Sequence, residues 1–285
     1  MTNPPASDVL PVWVFGGGGV GGIAWEIGML AGFADEGVQV APSAMVIGTS
    51  AGSVVGGQLA TGEGIDAMFE RQVARVVNEP TVSMSAGTLF KFATAQLFVK
   101  TPEEAGRKIG KLAMAADVGT PEERIAVIGT RLSSHEWGDL DLHLTVVDAE
   151  SGERRVITKA DGIPLVHAVA ASCAIPLVWP PIVIEGRHYI DGGMRSTLNL
   201  DLATGSGPVI ALAPSTASFG PWGRISTQRE GLGADRTVEV LTRDEASKTA
   251  QGRNVMDRSV VPAVARAGRE QGRRDAARVA AALAG

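Results

Sequence analysis

The chain has 285 residues, 45% of them apolar and 20% charged, with a formal net charge of −5. That length suits one large α/β domain or two small ones, and the acidic balance excludes the strongly basic footprint of a nucleic-acid-binding chain. The single cysteine, Cys173, can form neither an internal disulfide nor a cysteine-cluster metal site, and reads as a small buried hydrophobe.

Residues 1–10 are polar and lack the basic start and apolar core of a secretory signal. The uncharged run at 168–184 is broken by Pro176, Pro180 and Pro181, so no membrane-spanning helix is expected. A cytoplasmic chain is the expectation. Residues 12–15 read as a short buried strand that runs into a glycine-rich loop, residues 16–22. A helix is predicted over 23–36, with Ile27, Leu30, Ala31 and Ala34 at helical spacing and Gly37 as its stop. A second buried strand, 44–47, ends in Gly48-Thr49-Ser50-Ala51-Gly52, and a small-residue helix follows to about residue 59. Strand–turn–helix, twice in succession, predicts a mostly parallel sheet covered by helices.

Residues 63–131 read as mostly helical, either a cap inserted over the sheet or an ordinary helical layer; Phe90, Phe92 and Phe98 cluster within them. Strands at 142–147 and 155–158 pair across Glu150-Ser151-Gly152-Glu153 as a hairpin, and residues 163–172 form a short helix. A second pair of short strands flanks Glu185-Gly186-Arg187, and a late strand falls at 209–212. The region from about 235 to 285 reads as mainly helical, so residues 10–285 are expected to form a single domain. Seven arginines lie between 253 and 278. They fit a basic face resting on an anionic membrane, or more simply a solvated helix surface.

Three places carry chemistry. A serine on a sharp strand-to-helix turn is pushed out of the chain, and Gly48 and Gly52 permit such a turn around Ser50. The helix that follows directs its free N–H groups and positive dipole end at the site. In the glycine loop, backbone N–H groups of Gly16, Gly17, Gly18 and Gly19 suit an oxyanion hole, with Gly21 supporting the turn. The same loop matches the G-x-G-x-x-G of a dinucleotide site, but the strand that follows ends in Gly48-Thr49-Ser50 and offers no carboxylate for a ribose. The third place is Asp191-Gly192-Gly193, where an aspartate at a strand end reaches into a cleft or else marks an ordinary turn. There are four histidines, His135, His143, His167 and His188, and none follows Asp191. A triad would have to use an earlier acid, such as Asp148 with His167 or His188. A dyad of Ser50 and Asp191 needs no histidine.

The ordered combination of the glycine loop, Gly48-Thr49-Ser50-Ala51-Gly52 and Asp191-Gly192-Gly193 resembles the patatin-like phospholipases. Ala171-Ser172-Cys173-Ala174-Ile175-Pro176, followed by Pro180-Pro181 and Gly186, is similar to that family's approach to its aspartate. The resemblance covers about 12–213. It implies a three-layer α/β/α fold, Ser50 as nucleophile with Asp191 as base, a glycine-loop oxyanion hole, lipid acyl esters as substrates, and no metal or organic cofactor. Gly192 and Gly193 would support the aspartate's turn. One departure is Val20, where the family commonly has a basic residue. Its absence predicts a preference for neutral esters or lysolipids over anionic phospholipids. Two rival readings are a catalytically silent lipid-binding protein on the same fold and a dinucleotide-binding protein.

Overall fold

The computed structural model describes residues 10–74, 87, 92, 94 and 98–285. Five strands form the parallel centre of an eight-stranded sheet: β1 (Val12–Phe15), β2 (Met45–Gly48), β3 (Asp141–Asp148), β7 (Val209–Ala213) and β8 (Val238–Thr242). Their spatial order is β3-β2-β1-β7-β8. Beyond β3 the sheet turns antiparallel, through β4 (Arg154–Ile157) and β6 (Arg187–Asp191), and β6 then pairs with β5 (Ile182–Ile184). The parallel strands read as near-continuous apolar runs because helices bury both their faces.

Alternation along β1 divides the core. Trp13 and Phe15 point into a large cluster with the helices α1 (Gly19–Asp35) and α2 (Ala51–Ala60), whereas Val12 and Val14 point into a second cluster with Leu198, Leu200 and Val209. Helices lie on both sides, so the architecture is three-layer α/β/α. β1 leads straight into α1 and β2 into α2, which brings the glycine loop and Ser50 together at the carboxyl ends of neighbouring strands. In open α/β sheets this edge is where ligands bind.

Helix α1 begins at Gly19, four residues before the expected start, because Gly22 N–H already closes a turn onto the Gly18 carbonyl at 2.9 Å. Three of the helices within 63–131 have described bounds. α3 (Ile65–Val73) packs on α1. α4 (Pro102–Met114) packs on β3 and β6. α5 (Pro121–Gly129) packs on α6 (Leu165–Ser172). Phe92 is buried and stacks on Phe219 at 6.0 Å, while Phe98 is 94% exposed. Phe90 lies outside the described residues.

The last fifty residues include a strand as well as helices. β8 extends the sheet in parallel register with β7, its Val238 and Leu241 buried. It is preceded by α7 (Ile225–Glu230) and followed by α8 (Glu245–Gln251) and the long α9 (Val261–Ala284). α9 packs along α1 so closely that a Cβ at Gly32 would run into the Arg269 carbonyl. At the seam, Arg269 donates to Asp35 at 2.7 and 2.8 Å and Arg273 at 2.7 Å. Arg274 pairs with Asp244 at 2.5 Å, and Arg278 with Glu239 at 3.3 Å. Four arginines of the basic stretch are therefore paired with acids of the chain itself. No helix among the described residues is long and apolar enough to cross a membrane.

Candidate active site

Ser50 sits between β2 and α2 with φ 53° and ψ −110°. This is a left-handed conformation that a non-glycine residue adopts only when its surroundings force it, at a cost of about 1–3 kcal/mol. Close packing does the forcing. A Cβ at Gly52 would run into the Phe15 carbonyl, so only glycine lets the turn approach β1. Two side chains then hold the Ser50 backbone. Its N–H donates to Ser172 Oγ at 3.1 Å, and its carbonyl accepts from Cys173 Sγ at 3.1 Å. Ser172 Oγ in turn lies 2.6 Å from Ser53 Oγ. Burial pushes the Cys173 thiol up to about 12, so it stays protonated and able to donate.

Asp191 closes β6, and its side chain faces Ser50, whose hydroxyl acts to lower the carboxyl's pKa. Asp191 Oδ1 accepts from Gly193 N–H at 2.7 Å, in a tight turn over Gly192–Met194. The carboxyl is 2% exposed. Burial pushes it up to about 6, against the lowering effects of the Ser50 hydroxyl, the Gly193 N–H and the positive charge of Arg124. A carboxylate with that value is a better proton acceptor near neutral pH than an exposed one.

None of the four histidines, all among the described residues, hydrogen-bonds Ser50 or Asp191. His143 pairs with Asp141 at 2.9 Å, His188 with Glu150 at 2.7 Å, and His135 lies 3.4 Å from the Gly129 carbonyl. Asp148 is occupied by Arg187 at 2.5 Å and by the N–H groups of Glu150 and Ser151. The loop does not resemble a dinucleotide site in its acid, since Asp35 is held at the far end of α1 by Arg269 and Arg273.

The glycine loop divides in function. Gly16 N–H is spent on the Leu212 carbonyl at 3.0 Å, and Gly17 N–H on the Thr197 carbonyl at 2.7 Å. Gly21 N–H is likewise bound, to the Val255 carbonyl at 3.1 Å. Gly18 and Gly19, at the start of α1, have N–H groups with no acceptor among the described residues. The expected row of four donors narrows to these two, because the first two glycines still belong to the strand and the loop anchor. Gly19 and Ser50 line one small pocket of about 20 Å³, together with Arg124, Arg131 and Cys173. Beside it, sharing Val20, Ile23 and Arg131, opens a cavity of about 540 Å³, a size common for small-molecule sites.

Three residues of this region carry no signal in the sequence motifs. Asn199, buried and left-handed at φ 52°, donates to Thr49 Oγ1 at 3.1 Å and Thr145 Oγ1 at 3.3 Å, and to the carbonyls of Gly192 at 3.4 Å and Ser196 at 2.7 Å. It ties the serine turn to the aspartate turn. Ser172 lies inside the segment that resembles the family, but its contact with Ser50 bridges 122 positions. Arg124 comes from α5, which no motif marks. Among the described residues there is no cluster of three or more His, Cys, Asp or Glu that could hold a metal.

The family model described as Patatin-like phospholipase matches residues 13–204. No curated protein matches the chain in sequence. Among solved structures, the chain is similar to VipD from Legionella pneumophila, at 12% identity and a TM-score of 0.48, over 94% of this chain and 66% of that one. It is also similar to the type III effector protein ExoU, at 14% identity and a TM-score of 0.38, over 96% and 54% respectively. The chain spans less than two thirds of the length of either.

Proposed function

Since the chain belongs to the patatin-like phospholipase family, we propose that it is a serine acyl hydrolase that cleaves lipid acyl esters through Ser50 and Asp191. The observation that carries this reading is a strained, pocket-facing serine whose hydroxyl lies near enough to a buried aspartate of raised pKa to influence it. Asp191 takes the hydroxyl proton as Ser50 Oγ bonds to the ester carbonyl carbon. The carbonyl electrons move onto oxygen, which the N–H groups of Gly18 and Gly19 receive. The carbonyl then re-forms, the alcohol leaves with the proton from Asp191, and an acyl-enzyme remains. Water, deprotonated by the same carboxylate, releases the fatty acid. No step calls on a metal or an organic cofactor.

A fluorophosphonate probe followed by peptide mass spectrometry tests this directly. Labelling of Ser50, lost in Asp191→Asn, is the expected result. An unlabelled Ser50 in folded wild-type protein, with no turnover of p-nitrophenyl acyl esters, would leave the silent lipid-binding reading in its place.

A further inference from the structure

The space at the nucleophile is smaller than the reaction needs, and a side chain from outside the family-matched residues helps to close it. The pocket that Ser50 shares with Gly19 is about 20 Å³. On that measure roughly 10–15 Å³ holds one water. A scissile ester has to bring its carbonyl and the carbon beside it to this point, so part of the wall must yield.

The described wall residues differ in what holds them. Gly19, Val20 and Ile23 belong to α1, Ser50 and Ala51 to the start of α2, and Arg124 to α5. Cys173 is tied to the Ser50 carbonyl at 3.1 Å. Ile175 is β-branched and stiff, and its carbonyl accepts from Val178 and Trp179 N–H at 3.1 and 2.9 Å. Met256 comes instead from the irregular stretch 252–260 between α8 and α9, beyond the matched residues 13–204.

That stretch is seated on the glycine loop. Gly252, exposed at φ 63°, turns the chain out of α8. Gly21 N–H then donates to the Val255 carbonyl at 3.1 Å, and Met256 N–H donates to Asn254 Oδ1 at 3.0 Å. The Met256 backbone is thereby fixed beside Gly19. A Cβ at Gly19 would stand 2.9 Å from Met256 Sδ, so glycine lets the thioether lie against the loop. The side chain is half-buried. It is also unbranched, and its rotatable bonds let it change shape while its backbone stays in place.

On the acyl-hydrolase reading of Ser50, we propose that Met256 is a specificity-determining residue that gates the Ser50 pocket. Its side chain fills the space beside the scissile carbonyl, turns aside for an acyl chain whose first carbon is unbranched, and excludes acyl groups branched at that carbon. The carbonyl has to stand between Ser50 and the Gly18 and Gly19 N–H groups, which places its first acyl carbon next to a residue packed on Gly19. A branch there adds a methyl group to a space already occupied. One such group is worth about 10-fold or more in discrimination.

The test uses two isomers, p-nitrophenyl butanoate and p-nitrophenyl 2-methylpropanoate, each rate divided by that of alkaline hydrolysis. They share a leaving group and a formula, so shape at the first carbon is what differs. Wild-type protein should favour the linear ester by about tenfold or more in kcat/KM. Met256→Ala should lose most of that preference through a gain on the branched ester. Met256→Ile, stiff at χ1, should lose several-fold on both esters and label more slowly at Ser50 with a fluorophosphonate. Circular dichroism checks each variant, and Met256→Ile carries the test if Met256→Ala misfolds. No linear preference in wild type, an unchanged preference in folded Met256→Ala, or Met256→Ile as fast as wild type would each overturn the proposal. Any of these with wild-type Ser50 labelled and turning over defeats this inference alone; absence of both labelling and turnover in folded wild type defeats the hydrolase reading beneath it.

Discussion

The α1–α9 seam and the Ser50 turn are both made possible by glycine, and they use it to opposite ends. Along the seam, glycines let two helices touch, and polar side chains that cross it are paired. Trp25 Nε1 donates to Gln271 at 2.9 Å, and Asp35 accepts from two arginines. Hydrogen bonds from Arg269, then burial acting the other way, then Arg273, leave the Asp35 carboxyl lowered to about 2. At the Ser50 turn, glycines let the backbone take a strained shape, and several groups are left unmatched: the Gly18 and Gly19 N–H groups and two nitrogens of Arg124. There burial lifts Asp191 to about 6. The same residue type stabilises where its neighbours close their hydrogen bonds and prepares chemistry where they do not.

The sharpest way to break this comparison is to remove the nucleophile. Ser50→Ala should reduce ester turnover by about 10⁴-fold or more, as loss of a nucleophile does in serine hydrolases, with the circular dichroism spectrum unchanged. Ser50→Gly should be equally inactive yet melt higher than Ser50→Ala, because glycine releases about 1–3 kcal/mol of backbone strain at φ 53°. Equal melting temperatures would remove the strain from the account.

Asp191→Asn follows. Turnover should fall by about 10³-fold, since an amide cannot take the serine proton. In the wild type, kcat/KM should rise with pH through about 6 as the carboxyl ionises. The stability sign runs against function. An acid whose folded pKa exceeds its unfolded value adds stability below the unfolded pKa, near 3.8, and loses it as pH rises through about 6. Asp191→Asn should therefore exceed wild type in unfolding free energy from urea titration at pH 8, by at most about 3 kcal/mol, with the gap closing towards pH 4.

Gly28→Ala probes the seam, where a Cβ would run into the Ala265 carbonyl. It should cost about 1–3 kcal/mol through overpacking and lower the melting temperature, with little change in turnover per folded molecule. The smallest effect is expected for Asp35→Asn, about 1–2 kcal/mol at pH 7 from the loss of paired arginine contacts. Because the folded pKa is depressed, that contribution is present above about 3.8 and fades as pH falls towards 2. Urea midpoints of wild type and variant should converge at the acid end.

Much of the fold was legible along the chain because its signals are local. Short apolar strands at 12–15 and 44–47, each followed by glycines and a helix, announce parallel β–turn–α units. The strand at 238–242 was missed, since Glu239 and the flanking Asp235, Arg236, Arg243 and Asp244 mask a short apolar alternation in an otherwise helical stretch. The arginine-rich tail reads as a surface feature until the acids opposite it, Asp35 and Asp244, are located in space.

The sequence by itself determined the serine turn, the glycine loop and the aspartate before two glycines, because each is a backbone geometry written in consecutive residues. Only the tertiary structure decided that Ser50 and Asp191, 141 positions apart, come near enough for the serine hydroxyl to influence the carboxyl. It also decided which glycine N–H groups are left over, since that depends on carbonyls supplied by Thr197 and Leu212. It alone brought Arg124 from α5 into the pocket that Val20 leaves without charge. Hydrogen-bond closure, burial and converging charge are properties of atoms distant in the chain and adjacent in space, and no local pattern of residue types encodes them.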